Sequence, residues 1–339
     1  MIHAEKKQAD VPRMKHVLID REKFRSLKEK RALHLPRRKV QHVKDLPVSK
    51  TLEAFRPVAY NQGQLGSCTA NALLHYAKML DQNRGQPDAF EPSRNFIYSC
   101  EEALENPGKL LQDLGADVFD GCSIAHSIGM CPESDYPYLM DPTTQKITNA
   151  LQVPTAKMYA DAAIHKLPQA TNVTNNGPLL DTIKTLINQD EPVLLAFAVY
   201  PELESAECEK TGILAMPTVA ELAKPELGGH QVLCLGYDPQ YLHILNSWGP
   251  NWGLSGMFMM PVEYLQATGT NGPIVDQLIT IAPIPTSVIQ PTPVEPVILN
   301  IAQLRSELAT VVSQIQLIDS QLAASQPPAK KLKSSASFA

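Results

Sequence analysis

The spacing of apolar residues along the chain predicts helices first and strands later. From Ser67, the segment SCTANALLHYAKMLDQNR places apolar side chains at i, i+3 and i+4 intervals, as in a half-buried helix. A second helix is predicted over Leu179–Asn188. Four later runs, PVLLAFAVY, HQVLCLGYD, LHILNSW and MFMMP, are short, apolar and separated by Gly, Pro or Asp, which predicts strands. This order indicates an α+β protein with two lobes and a functional site in the cleft between them.

Outside this region the pattern changes. The segment PIPTSVIQPTPVEP alternates proline with small and β-branched residues, which predicts an extended linker. A short helix is also predicted around Arg21–Leu33. The 339-residue chain is therefore predicted to comprise a basic arm (1–45), a globular body (46–283), a Pro-rich linker (284–297), a coiled-coil helix (298–325) and a disordered basic tail (326–339).

Apolar residues of the predicted C-terminal helix follow a heptad repeat. Steps of three and four residues alternate from Ile301 to Leu322, which is the a/d spacing of a coiled coil. About three heptads are only marginally stable alone. We therefore favour a homo-oligomer formed through Ile301–Leu322, while docking on a partner or on the body stays an open alternative.

Charge is unevenly distributed along the chain. Residues 1–50 hold 15 Lys and Arg against 6 Asp and Glu, although the net charge of the whole chain is -5. Such an arm is compatible with binding nucleic acid or an anionic surface, with contact to the acidic body, and with a solvated, disordered segment. The N-terminus lacks the apolar region of a signal peptide, and no apolar run reaches the ~18 residues of a membrane span. We therefore expect an intracellular location, in the cytoplasm or nucleus.

Three segments carry residues suited to nucleophilic catalysis. Cys68 lies at a predicted helix start, where the helix dipole and nearby N–H groups stabilise a thiolate. His230 opens an apolar strand after two glycines, and Asn246 begins the eight-residue stretch that holds both tryptophans. Each segment alone has an ordinary structural explanation, such as a buried and inert cysteine.

Together, these segments supply a complete set of catalytic groups. An imidazolium at His230 would keep Cys68 ionised, and the same ring would then protonate a leaving amine. The amide oxygen of Asn246 would orient the ring, and the indole of Trp248 would shield that hydrogen bond from water. The backbone N–H of Cys68 and the side-chain amide of Gln62 would stabilise a tetrahedral oxyanion.

The stretches NQGQLGSCTANAL, GGHQVLCLGYD and ILNSWGPNWGLSGMF resemble the cysteine, histidine and asparagine motifs of the papain/cathepsin family, in the branch found in bacteria and large DNA viruses. The resemblance covers roughly residues 46–283. It implies a papain-like fold, with a helical lobe, an antiparallel β lobe and an active-site cleft. It also implies a cysteine-type endopeptidase that acts on proteins or peptides and needs no cofactor or metal. The viral branch makes a virion location an alternative.

Several positions depart from the family pattern. Leu65 stands where the family has an upstream half-cystine, and Thr69 stands where an aromatic residue follows the nucleophile. Gln231 follows the histidine where a small residue is common, which predicts a narrower or more polar S2 pocket. The glycine-rich strand that pairs with substrate has no clear match, and Gly121 within Phe119–Ser123 is the best candidate.

Three hypotheses for the function differ in class. The first is an endopeptidase that forms a thioester at Cys68. The second is an inactive or specialised relative with a structural or packaging role, suggested by the basic arm and the heptads. The third is a related exopeptidase, ligase or isopeptidase on the same scaffold. Labelling of Cys68 separates the first two hypotheses, and product analysis identifies the third.

Overall fold

The computed structural model describes residues 35–82, 90–106, 108–174 and 177–283. The predicted linker, the C-terminal helix with its heptads, the basic tail and the helix near residues 21–33 lie outside the described residues. They therefore stay predictions. Within the described ranges, none of the helices reaches the length and apolarity that crossing a bilayer requires.

The first part of the described chain is mainly helical. Helix α1 spans Cys68–Gln82, and its side chains from Cys68 to Leu80 are all buried. The predicted half-buried helix is thus more deeply enclosed, because further helices contact one side and the sheet contacts the other. The other helices are α2 (Arg94–Glu105), α3 (Val118–Ser127), α4 (Ala156–Ala162), α5 (Leu179–Asn188), α6 (Ala206–Thr211) and α7 (Val219–Leu222), with 3₁₀ turns at Glu53–Phe55 and Val262–Leu265.

An antiparallel sheet of seven strands occupies the rest of the described chain. The strands are β1 (Lys50–Thr51), β2 (Thr171–Asn172), β3 (Val193–Val199), β4 (Gly228–Tyr237), β5 (Tyr241–Leu245), β6 (Met257–Pro261) and β9 (Val275–Thr280), while β7 (Thr268–Gly269) and β8 (Gly272–Pro273) form a separate ribbon. Their order is β2-β9-β3-β4-β5-β6, and β1 pairs with β4. Strand β4 is therefore central, and α1 packs against it.

These elements confirm the predicted α+β class and its antiparallel sheet. Helix α5 and strand β6 have the predicted bounds, and the other three predicted strands are present with ends shifted by one to three residues. Strand β9 was not predicted, since its sequence VDQLIT interrupts the apolar pattern with Asp276 and Gln277. Its partner β3 selects the extended conformation through long-range pairing.

Residues 35–51 run along the sheet rather than along α1. Leu35 and Val40 are buried, and Arg38 donates to Glu191 at 2.9 Å. Strand β1 pairs with Gly236 and Tyr237 at the far end of β4, about 20 Å along the strand from His230 at 3.3 Å per residue. The predicted boundary between arm and body at residue 46 stays a prediction.

Candidate active site

Cys68 is the first residue of α1, and its side chain is buried. The helix begins there because the N–H of Asn71 and its side-chain amide both donate to the carbonyl of Ser67, at 3.0 and 2.8 Å. Burial raises the pKa of the Cys68 thiol to about 12, whereas the backbone N–H groups of Gln231, Thr69 and Cys68 itself lower it. The sulfur therefore lies beside the residue that follows His230.

His230, in β4, is held by Asn246, the residue that follows β5. Its Nε2 lies 2.8 Å from Oδ1 of Asn246, and the N–H of Ser247 donates to the same oxygen at 2.9 Å. The second donor fixes which amide atom is the oxygen, because a backbone N–H can only donate. Nε2 of His230 must therefore carry a proton, which leaves Nδ1 as the basic nitrogen of the neutral ring.

Aromatic side chains enclose this pair. The Trp248 ring centre lies 5.3 Å from that of His230, and Trp252 packs edge-on against Trp248 at 5.0 Å. Phe197 meets His230 from β3 at 5.9 Å. Burial lowers the pKa of His230 to about 4, against a smaller rise from the hydrogen bond to Asn246. The structure thus places Trp248 against His230, and its predicted role in shielding the hydrogen bond to Asn246 stays a prediction.

Gln62 joins the loop before α1 to the Asn246 segment. Its N–H donates to the carbonyl of Ser247 at 2.8 Å, and the hydroxyl of Ser247 donates to its Oε1 at 2.6 Å. Its Nε2 donates to the carbonyl of Leu65 at 2.9 Å, which leaves one amide hydrogen for another acceptor. Ser247 is not among the residues predicted from the sequence, although it lies between Asn246 and Trp248.

Gly121 does not lie in a strand, and that prediction is wrong. It is a buried residue of α3, where the N–H groups of residues 119, 120 and 121 already donate to Asp117. This stretch cannot pair with an extended substrate, because its backbone donors are used within the helix. Gly121 instead leaves room for Glu101, whose buried carboxyl accepts from Thr69 Oγ1 at 2.9 Å.

Replacing Gly121 with alanine should therefore destabilise the fold. A Cβ at this position would lie 2.2 Å from Oε1 of Glu101 and 3.2 Å from Cδ2 of Leu73. We expect a loss of about 1–3 kcal/mol in the free energy of unfolding, as for other overpacked cores. Urea unfolding would measure it. Ser127→Ala, at an exposed position of the same helix, is the matched control, and equal midpoints for both variants would contradict the crowding.

Gln231 belongs to a row of side chains on one face of the sheet. It pairs with Ala196 on β3, and Ala196 pairs with Gln277 on β9, so the three side chains point the same way. The two glutamines are buried but Ala196 is half-exposed. The amide of Gln277 donates to Asp117 Oδ1 at 3.4 Å, while Nε2 of Gln231 has no partner among the described residues. Two buried amide side chains and one small residue thus share this face of the sheet.

A metal site in a protein is usually formed by a cluster of His, Cys, Asp or Glu side chains. No group of three or more His, Cys, Asp or Glu side chains in the described ranges is arranged to hold a metal ion. The six cysteines are all free and buried.

Comparison with known proteins gives the family. A family model described as papain family cysteine protease matches residues 49–272. An uncharacterised peptidase C1-like protein of Acanthamoeba polyphaga mimivirus is 33% identical over 211 residues, which cover 60% of this chain and 64% of that protein. Pro-cathepsin H of Bos taurus is 25% identical over 215 residues, covering 59% of this chain and 54% of the relative. The chain thus spans less than two thirds of the length of these relatives.

Solved structures agree with this result. Xylellain, a cysteine protease from Xylella fastidiosa, matches with a TM-score of 0.62 and 30% identity, covering 74% of this chain and 92% of that chain. Procathepsin L 3 from the larval midgut of Tenebrio molitor matches with a TM-score of 0.52 and 21% identity, covering 75% of this chain and 79% of that chain. The second likeness shows the fold alone. With the family model matching most of the described fold, the chain belongs to the papain family of cysteine proteases.

Proposed function

We propose that this protein hydrolyses peptide bonds with Cys68 as the nucleophile. The observation that carries the proposal is the 2.8 Å hydrogen bond between His230 and Asn246, because it leaves Nδ1 of His230 as the base of the pair. The sulfur of Cys68 lies beside the N–H of Gln231, the next residue of the same strand. The candidate nucleophile and base thus come from neighbouring parts of α1 and β4.

The reaction proceeds by acyl transfer. The sulfur of Cys68 attacks the scissile carbonyl carbon, and the carbonyl π electrons move onto oxygen. His230 passes a proton to the amine nitrogen as the C–N bond breaks, which leaves a thioester on Cys68. Water, deprotonated by His230, then attacks the thioester, and the C–S bond breaks to release the acid product and leave the Cys68 thiolate beside protonated His230. The N–H of Cys68 and the free amide hydrogen of Gln62 stabilise the oxyanion in both steps.

The proposed reaction uses the ionised forms of Cys68 and His230. Burial raises the pKa of Cys68 and lowers that of His230, so burial opposes each ion taken singly. Transfer of one proton from sulfur to ring, however, creates both charges together, and their attraction in a region of low dielectric offsets the cost of desolvation. The N–H groups that face the sulfur also favour the thiolate. We therefore propose a thiolate–imidazolium pair in the resting protein.

Iodoacetamide labelling with peptide-library cleavage tests this proposal. The full chain at neutral pH should be alkylated at Cys68 well before the other five cysteines, which serve as internal controls because they are also buried and free. Cleavage should be lost in step with labelling. Folded protein that neither labels at Cys68 nor cleaves any peptide would exclude the proposal and favour a structural role. Mass spectrometry of the products distinguishes endopeptidase from exopeptidase or isopeptidase activity.

The row formed by Gln231, Ala196 and Gln277 supports a polar S2 pocket. By the family resemblance, the residue after the histidine faces the P2 side chain, two residues before the scissile bond. Here that residue is Gln231, and the neighbouring wall carries Gln277. A polar P2 side chain would use the buried Gln231 Nε2 that otherwise has no partner. The protein should therefore select polar over bulky apolar residues at P2.

Gln231→Ala should make the proposed S2 pocket wider and less polar. We expect kcat/KM for peptides with a bulky apolar P2 residue to rise relative to those with a polar one by about 10- to 100-fold, since one buried amide is worth about 1–3 kcal/mol. Profiling with a peptide library measures the change. Gln266→Ala, an exposed glutamine, should leave the profile unchanged. A wild-type preference for bulky apolar P2 residues would contradict the polar pocket.

A further inference from the structure

The candidate oxyanion donors belong to opposite ends of one short loop. Gln62 supplies a side-chain amide and Cys68 a backbone N–H, and five residues separate them. An oxyanion hole requires both donors at fixed positions, because hydrogen bonds weaken steeply with misplacement. The spacing between the two ends of this loop must therefore be held by something outside the loop.

The hydroxyl of Tyr138 contacts both ends of the loop. It donates to the carbonyl of Gln62 at 2.8 Å and lies 2.7 Å from Oγ of Ser67, the residue before Cys68. The N–H groups between these ends are tied elsewhere, with Gln64 donating to the carbonyl of Gln145 and Gly66 to Asp113. Tyr138 thus bridges the segments that carry the two donors.

The direction of these hydrogen bonds can be assigned. A carbonyl only accepts, so the single hydroxyl hydrogen of Tyr138 is used on Gln62. Ser67 must then donate its own hydrogen to Tyr138, and Oγ of Ser67 accepts from Nδ2 of Asn71 at 3.0 Å. A directed chain therefore runs from Asn71 through Ser67 and Tyr138 to Gln62. Every polar hydrogen in this chain has one acceptor, which rigidifies the loop.

Tyr138 is fixed at its ring and at its backbone. The guanidinium of Arg94 lies 3.8 Å from the ring centre, and the N–H of Tyr138 donates to Glu133 at 2.7 Å. Burial raises the pKa of the phenol well above its usual value, so the hydroxyl is protonated at neutral pH. Tyr138 can therefore donate a hydrogen bond but cannot act as a catalytic acid or base at that pH.

We infer that Tyr138 is a positioning residue, whose hydroxyl sets the spacing of the two oxyanion donors. Its hydroxyl bonds to Gln62 and Ser67 and acts through these two residues. This inference rests on the proposed function, because it assigns a role within the same reaction.

Tyr138→Phe tests the inference, since it removes the hydroxyl and keeps the ring on Arg94. We expect kcat to fall by about 10- to 100-fold with KM changed less than about twofold. Affinity for a peptide aldehyde should fall by a similar factor, because addition of the thiol across its C=O bond places an oxygen in the oxyanion position. The rate of Cys68 alkylation by iodoacetamide should not change, since alkylation forms no oxyanion.

Tyr136→Phe is the matched control. Tyr136 is a buried tyrosine two residues away, and its hydroxyl bonds to Gln152 and Ser99 rather than to the loop. Equal losses of kcat in the two variants, or a parallel fall in the alkylation rate of Tyr138→Phe, would show a merely structural role and overturn the inference. Unchanged kcat and aldehyde affinity in Tyr138→Phe would overturn it too. If Tyr138→Phe fails to fold, Ser67→Ala breaks the same chain and should reproduce the split between kcat and alkylation.

The behaviour of the wild-type chain distinguishes failure of the proposed function from failure of the role assigned to Tyr138. If the wild-type chain neither labels at Cys68 nor cleaves peptides, the proposed function fails. If the wild-type chain is active and Tyr138→Phe matches it, only the role of Tyr138 fails.

Discussion

Cys68→Ala is expected to lower kcat/KM for a cleavable peptide by about 10⁴-fold or more, because no other group can form the acyl intermediate. The fold should persist. The sulfur of Cys68 is buried, but alanine keeps the Cβ and fits the helix start, so the midpoint of thermal unfolding should change by only a few degrees. Turnover and thermal unfolding of the same preparation measure both effects.

Cys234→Ala is the matched control for the loss of a buried thiol. Cys234 lies in β4, is fully buried, and has a pKa raised by burial to about 12, as Cys68 does. Its thiol makes a weak hydrogen bond to the carbonyl of Gly236 at 3.5 Å and takes no part in the proposed reaction. This variant should retain activity. Substantial turnover in Cys68→Ala would refute the assignment of the nucleophile.

His230→Ala is expected to have the second large effect on kcat/KM. It should also change how the rate of Cys68 alkylation depends on pH. Loss of the base and of the proton donor should lower kcat/KM by about 10⁴-fold or more. Without the imidazolium, burial is the largest influence on the pKa of the thiol and raises it, against a smaller lowering by the neighbouring backbone N–H groups. A thiol deprotonates as pH rises, so alkylation of Cys68 in this variant should accelerate about tenfold per pH unit through the neutral range. In the wild type, the ion pair should make the same rate nearly independent of pH there.

Two further variants sharpen this test. Asn246→Ala keeps the ring but removes the oxygen that holds Nε2, so it should cost less than His230→Ala, as the third member of such a triad does. His126→Ala replaces an exposed histidine of α3 and should leave the alkylation profile unchanged. A wild-type profile as steep as that of His230→Ala would show that the resting thiol is neutral and would contradict the ion pair.

Short-range patterns explain why much of the fold was predictable. Helix α5 and the start of α1 follow from apolar spacing within about a dozen residues. The mistaken strand at Gly121 shows the limit of such patterns, because a lone glycine fits a strand that receives substrate as well as a crowded helix. In the fold, Gly121 lies in α3, and a Cβ there would meet the carboxyl of Glu101, twenty residues away in sequence. Strand β9 is likewise not predictable from a short-range pattern, because its pairing with the distant strand β3 fixes its extended conformation.

The candidate site likewise combines residues that the sequence identifies with contacts that only the structure shows. Cys68, His230, Asn246, Gln62 and Trp248 were singled out from sequence because each stands in a local motif whose chemistry is readable from residue type. Their grouping around α1 and β4, the hydrogen bond that fixes the His230 ring and the packing of Trp248 on it come from the structure. Whether the assigned roles hold is decided by the variants above.

The sequence by itself determined the chemical groups and the family, because nucleophile, base and amide each lie in short motifs that need no partner to be recognised. Only the tertiary structure decided how these groups are held. Ser247 meets Gln62 across 185 residues and Tyr138 meets Gln62 across 76. Such contacts leave no periodic trace in the chain, since loop closure can bring any two distant segments together and only the packed fold specifies which pair meets.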